Sequence, residues 1–230
     1  MLGLGSSLSR ATFAEEFVDL TSFSGLSFYY KNATNVTTAG WGDQSSNEND
    51  MTQTNTDFRA SLANGGLFFD GGNDHYLLDN NVEIGESNPF TLFWAGNIKD
   101  HSTSHTLISN DTNNLLIKTV DVIELTIGSV STTITYNEAG GTFPNRTEMQ
   151  LCIRKNADRT IDVFKNGAEL TKASETNGVS ANASFTASAI GFTEGADIAF
   201  SGKMYELALY QEALSGGKIE IITNYLSDLL

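Results

Sequence analysis

The chain has 230 residues, 40% of them hydrophobic and 18% charged, and its 13 basic and 28 acidic side chains leave a formal net charge of −15. An acidic excess of this size repels phosphate backbones and anionic bilayers, which argues against nucleic acid and membrane surfaces as partners and suits cations or a basic patch on another protein. Cys152 is the only cysteine, so no internal disulfide can form, and its apolar neighbours Leu151 and Ile153 predict a buried, inert thiol.

Residues 1–24 differ in character from the rest of the chain. Leu2, Leu4 and Leu8 are spaced by Gly and Ser and are followed by Phe13, Phe17, Leu20 and Phe23. Gly- and Ser-rich chain gains little from ordering alone, so these side chains predict an arm lying against its own domain or a neighbouring subunit, with Leu2, Leu4, Leu8 and Phe13 serving assembly. The segment lacks the basic start and long apolar run of a secretory signal, and no later stretch is apolar enough to span a bilayer. Synthesis without a signal peptide is therefore expected, and the N-x-S/T triplets at Asn32, Asn35, Asn110, Asn145 and Asn182 are read as accidental in so Asn- and Thr-rich a chain.

From residue 26 onward the pattern is that of short strands. Leu26–Lys31 is rich in aromatics, and Gly65–Gly71 and His75–Leu78 are separated by a Gly/Asn turn. Phe90–Gly96 carries apolar residues on both alternating faces, as a central strand covered on both sides would. His105–Ser109, Asn114–Lys118, Val122–Ile127 and Thr132–Tyr136 come next at spacings too short for crossover helices, which predicts an antiparallel meander. Gln150–Arg154 is expected to pair with Thr160–Phe164, and Asn166-Gly167 supplies the positive backbone angles of a tight hairpin before Ala168–Leu170. Only the tail reads as helical: Ile219, Ile222, Leu226 and Leu229 recur at three- and four-residue spacing behind a cap at Ser215. With no repeat and no internal linker, residues 25–230 are expected to form one domain.

Several segments match a family pattern in order. Trp41-Gly42-Asp43-Gln44-Ser45-Ser46-Asn47-Glu48-Asn49 with Gln53 resembles the W-x-D-x-S-G-N-x-N…Q segment of laminin-G-like jelly rolls in viral and bacterial surface proteins, with Ser46 in place of the usual Gly. Phe69-Asp70-Gly71-Gly72-Asn73-Asp74-His75-Tyr76 is similar to the F-D-G-x-x-D-x-Y signature, Phe90–Trp94 to F-T-x-x-x-W, and Val163–Gly167 to the V-Y-V-N-G hairpin. Ile190-Gly191 and the run from Phe200 through Ser215 resemble the closing segment, except that Gln211-Glu212 replaces the usual basic residue. The likeness covers residues 26–225 and implies an all-β fold: an antiparallel β-sandwich of the concanavalin A-like jelly-roll kind, here with an N-terminal arm and a short C-terminal helix.

Fold does not fix chemistry, so the candidate sites are read from the residues themselves. Retaining glycosidases of this family carry a Glu-x-Asp-x-(x)-Glu strand, and nothing here matches it: the carboxylates of Asp121 and Glu124 are three apart, on opposite faces of a strand. His75, His101 and His105 are expected to be surface histidines rather than a zinc set, because Lys99–Ser104 reads as a loop. Calcium could be held by Asp43, Asn47, Asn49 and Asp50 or by Asp70, Asn73 and Asp74, although Asp and Asn also cap turns through their own backbone. A sugar site would need an exposed aromatic, for which Trp41, Tyr76 and Tyr136 are the candidates, while Trp94 is expected in the core.

The resemblance and the missing catalytic pair together give an expectation of a non-enzymatic virion structural protein, a capsid decoration or a tail- or fibre-associated subunit exposed on the particle surface. Its partners would be other virion proteins, further copies of itself and a cell-surface glycan. The alternative is a free-standing carbohydrate-binding lectin, its calcium dependence left open.

Overall fold

The computed structural model describes residues 18–84, 88–110, 113–127, 130–139, 141–176, 185–193 and 197–230. In chain order the strands are β1 (Leu26–Tyr30), β2 (Val36–Thr37), β3 (Gly40–Trp41), β4 (Met51–Thr52), β5 (Ser61–Ala63), β6 (Gly66–Asp70) and β7 (Tyr76–Ile84). The middle of the chain forms β8 (Phe90–Ile98), β9 (His105–Ser109), β10 (Asn114–Thr119), β11 (Val122–Ile127), β12 (Val130–Thr135) and β13 (Met149–Lys155). The last third forms β14 (Ile161–Lys165), β15 (Ala168–Glu169), β16 (Ser174–Thr176), β17 (Phe185–Ile190), β18 (Phe192–Thr193), β19 (Ile198–Ala199), β20 (Ser201–Tyr210) and the helix α1 (Gly216–Ser227).

Two antiparallel sheets face each other. Sheet one runs β15-β14-β13-β8-β20-β6-β5 with β1 also on β20, and sheet two runs β16-β12-β11-β10-β9-β17-β7-β4-β3-β2. The short β18–β19 ribbon pairs only with itself and lies against β9, where the Thr106 hydroxyl bonds the Thr193 hydroxyl at 2.9 Å and the Ile198 carbonyl at 2.8 Å. The predicted jelly-roll-like sandwich is thus the observed one, and the predicted tight turn is present, with Asn166 at φ 49° and Gly167 at φ 82°.

The core is divided by sheet one. Phe90, Leu92 and Trp94 of β8 point between the sheets, while Phe93 and Ala95 point outward into a second apolar layer. This is why β8 is buried along its whole length, as the apolar residues on both of its alternating faces predict. Helix α1 supplies the lid of that layer: Ser215 caps it by accepting from the Lys218 N–H, and Ile219, Ile222 and Leu226 are buried. Leu20 joins the same layer, with Val18 and Phe23 packed against it, so residues 18–23 lie on their own domain. The arm residues Leu2, Leu4, Leu8 and Phe13 lie outside the described residues.

A bulge in β20 between Met204 and Glu206 puts two successive side chains, Tyr205 and Glu206, on the outer side of sheet one. Close approach of the neighbouring backbones there requires glycine: a Cβ on Gly66 would meet the Met204 carbonyl oxygen at 2.0 Å, and one on Gly96 the Lys203 carbonyl oxygen at 1.9 Å.

Candidate ligand cleft

The segments that carry the family resemblance act as internal scaffolding. The Asp43 carboxylate accepts four hydrogen bonds, from the Tyr29 N–H at 2.7 Å, the Ser45 N–H at 2.8 Å, the Ser45 hydroxyl at 2.5 Å and the Asn49 N–H at 2.9 Å. Asn47 donates to the carbonyls of Leu26 and Ser27, and Asn49 exchanges a pair of bonds with the backbone of Asn80. Gln53 reaches the His75 carbonyl at 3.0 Å. In the second segment Asp74 accepts from the Asp70 N–H, and Asp70 from the Gly72 N–H. Burial pushes the Asp74 carboxyl above its ordinary value.

These oxygens are therefore engaged in closing turns, the use that Asp and Asn commonly have. A calcium ion needs six or more converging oxygens, and the two carboxylate oxygens of Asp43 already accept four hydrogen bonds. Among the described residues no three His, Cys, Asp or Glu side chains are grouped so as to hold a metal.

The three candidate stacking aromatics are corrected by the structure. Trp41, Tyr76 and Tyr136 are 1%, 0% and 1% exposed and belong to the inter-sheet core. Trp41 and Tyr76 remain inside because their polar tips find backbone acceptors, the carbonyls of Lys31 at 2.9 Å and Thr38 at 3.0 Å. A surface position for all three histidines is also corrected: His105 is fully buried in β9, with its ring 5.3 Å from that of His101. Burial, then His101, lower its pKa to about 4. Its Nδ1 accepts from the Ser201 N–H at 3.2 Å, a bond that links β9 to β20 across the sandwich.

A second buried polar group sits under α1. Glu206 accepts from the Asn32 N–H at 3.1 Å, from the Tyr225 hydroxyl at 3.0 Å and from the Tyr29 hydroxyl at 3.2 Å. Burial pushes its carboxyl up to about 7, against the opposing pull of those donors. Cys152 is buried in the same layer, and its thiol is pushed well above the ordinary range by desolvation.

The best-formed concavity lies on the opposite side, on the outer face of sheet two, with a volume of about 300 Å³. Strand register builds its floor: Leu77 of β7 pairs with Ala189 of β17, which pairs with Ser109 of β9. Tyr76 and Leu78 point inward, so Leu77 must point out, and it is 54% exposed. A bulge between Ala187 and Ala189 brings Ser188 to the same rim. One wall is a stack of rings, in which His75 lies 5.3 Å from Phe58 and 5.6 Å from Phe192.

Each ring is held. The His75 N–H donates to the Phe58 carbonyl at 3.0 Å, and the Ser109 hydroxyl donates to the Phe192 carbonyl at 2.5 Å. His75 Nδ1 lies 2.9 Å from the Asn73 carbonyl oxygen, which can only accept, so Nδ1 is the donor of that bond and Nε2 is left for another partner. Asn73 and Asn110 complete the polar rim. Of the sugar and calcium candidates read from the sequence, Asn73 borders this cleft, and so does His75, which was set aside as a zinc ligand. Leu77 carried a signal in the sequence, an apolar residue at the outward position of an alternating strand, whereas nothing local marked Phe58 or Phe192.

A larger hollow of about 660 Å³ lies over the Trp41 segment; Asp43 and Asp50 there are committed to backbone donors, Glu48 is exposed at its edge, and Trp41 is buried beneath it. The cleft on sheet two combines an apolar floor with polar groups at its rim, as small-molecule sites do.

No family model and no curated protein matches the sequence. Solved structures do share the fold. Trypanosoma rangeli sialidase superposes with a TM-score of 0.61 at 15% identity, over 91% of this chain and 34% of that one. The same sialidase in complex with sialic acid gives a TM-score of 0.58 at 14% identity, over 91% and 34%. The binding domain of Paraclostridial Mosquitocidal Protein 1 gives 0.57 at 14% identity, over 87% and 52%. This chain spans about a third of the sialidases' length, and at such identities the likeness establishes the fold alone. It nonetheless corrects the expectation of a non-enzymatic chain: sandwiches of this shape occur within chains that are sialidases, so a missing carboxylate pair in the sandwich does not set the chain apart from enzymes.

Proposed function

We propose that the chain is a glycan-binding sandwich carried on the surface of a larger particle, of the virion kind that its sequence motifs resemble. The observation that supports binding is the cleft on sheet two, where the Leu77–Ala189–Ser109 row and the rings of Phe58 and Phe192 offer apolar surface beside hydroxyl, amide and imidazole groups. Sugar rings present the same pairing, with C–H faces that stack on aromatics and hydroxyls that need fixed partners. The occurrence of the fold in sialidases and in the binding domain of a mosquitocidal protein is in keeping with a recognition role.

A glycan array probed with the full chain and with Phe192→Ala tests this reading. The wild-type chain is expected to give a restricted set of hits, and removal of the ring is expected to weaken them about tenfold or more, about 1.4 kcal/mol, with the circular dichroism spectrum unchanged. An array without hits, or hits indifferent to Phe192, overturns it. The particle setting is tested separately by immunogold electron microscopy of purified particles, where absence of surface label removes that part.

A further inference from the structure

Resting on the glycan reading, we infer that the cleft takes neutral pyranosides and rejects sugars that carry a carboxylate or sulfate. Among the described residues no lysine or arginine lines it. The nearest cation in sequence, Arg59, is folded back on its own loop, with Nε on the Gln53 carbonyl at 2.8 Å and Nη2 on the Thr54 carbonyl at 3.1 Å. A carboxylated sugar would therefore be desolvated against Leu77, Ala189 and the rings without a counter-charge, on a protein whose formal net charge is −15.

The polar groups point to the same class. With Nδ1 committed to the Asn73 carbonyl, His75 leaves Nε2 for a sugar hydroxyl. Asn73 and Ser188 at the rim can each donate to or accept from hydroxyls. The volume of about 300 Å³ stands at the lower end of small-molecule sites, room for a terminal sugar rather than a long chain.

Matched glycan pairs test the inference: lactose against 3′-sialyllactose, and each neutral hit of the array against its sialylated and sulfated forms, by titration calorimetry on the full chain. The neutral member is expected to bind at least tenfold more tightly, and Ser188→Lys, which sets an ammonium group at the rim, is expected to shift the ratio toward the anionic member. Tighter binding of the charged member overturns the inference while leaving glycan binding intact. A ratio unmoved by Ser188→Lys in a folded variant removes the cleft as the site of selection and overturns it too, and binding of no glycan at all overturns both readings.

Discussion

The outer faces of the two sheets have opposite fates. On sheet one, Phe93, Ala95 and Ala208 are covered by α1, and the bulge in β20 delivers Glu206 to two tyrosine hydroxyls beneath that lid. On sheet two the outward Leu77 stays half exposed beside a ring-lined hollow. Both faces carry apolar residues, and only one is used to hold the domain together. An apolar side chain that the fold leaves uncovered is available for a ligand; one under a helix is committed to stability.

That contrast can be broken most directly by truncation. Ile222→Ala, at a fully buried position of α1, is expected to cost about 2–5 kcal/mol in chemical denaturation, the range for emptying a packed site. Leu77→Ala on the other face should stay within about 0.5 kcal/mol. Equal costs would mean that sheet two also relies on its outer face.

The pH dependence sharpens the comparison. Glu206 binds its proton more tightly in the folded state, at about 7 against an ordinary 4.5, so its contribution is full at acid pH and is lost as pH rises through that window. A shift of this size corresponds to about 3 kcal/mol, and Glu206→Gln should remove the loss of stability that this group causes as pH rises from about 4.5 to 7. His105 behaves in the opposite sense: buried and neutral, with its pKa near 4 against an ordinary 6.5, it supports the fold fully above 6.5 and loses that support as pH falls toward 4. His105→Asn should level the acid limb, whose depth is again about 3 kcal/mol. Because the two windows nearly coincide and act in opposite senses, hydrogen exchange read along the chain between about pH 4 and 7 would place the weakening with rising pH in α1 and the weakening with falling pH around β9; the reverse pattern would sink both assignments.

Much of the fold was legible because its signals are local. The double-faced apolar run of β8, the Asn166-Gly167 turn and the Ile219/Ile222/Leu226 stripe each report their own environment within a few residues. The cleft was not, since its floor joins positions 77, 109 and 189 through strand register, a relation that single-sequence patterns do not carry. The aromatics that looked available were misleading for a physical reason: a tryptophan or tyrosine can be buried whole when a carbonyl lies within reach of its N–H or O–H, as Lys31 and Thr38 provide for Trp41 and Tyr76. His105 was misplaced because the loop before it is polar, although the residue itself begins a strand buried on both faces.

The packing of Val18, Leu20 and the C-terminal helix into one layer has a geometric corollary. The C-terminal helix lies behind sheet one, so a tether, an affinity tag or a carrier joined at Leu230 leaves the hollow on sheet two pointing away from its mount. Immobilising the protein by Leu230 should therefore preserve access to that hollow, whereas random lysine coupling would orient the molecule every way.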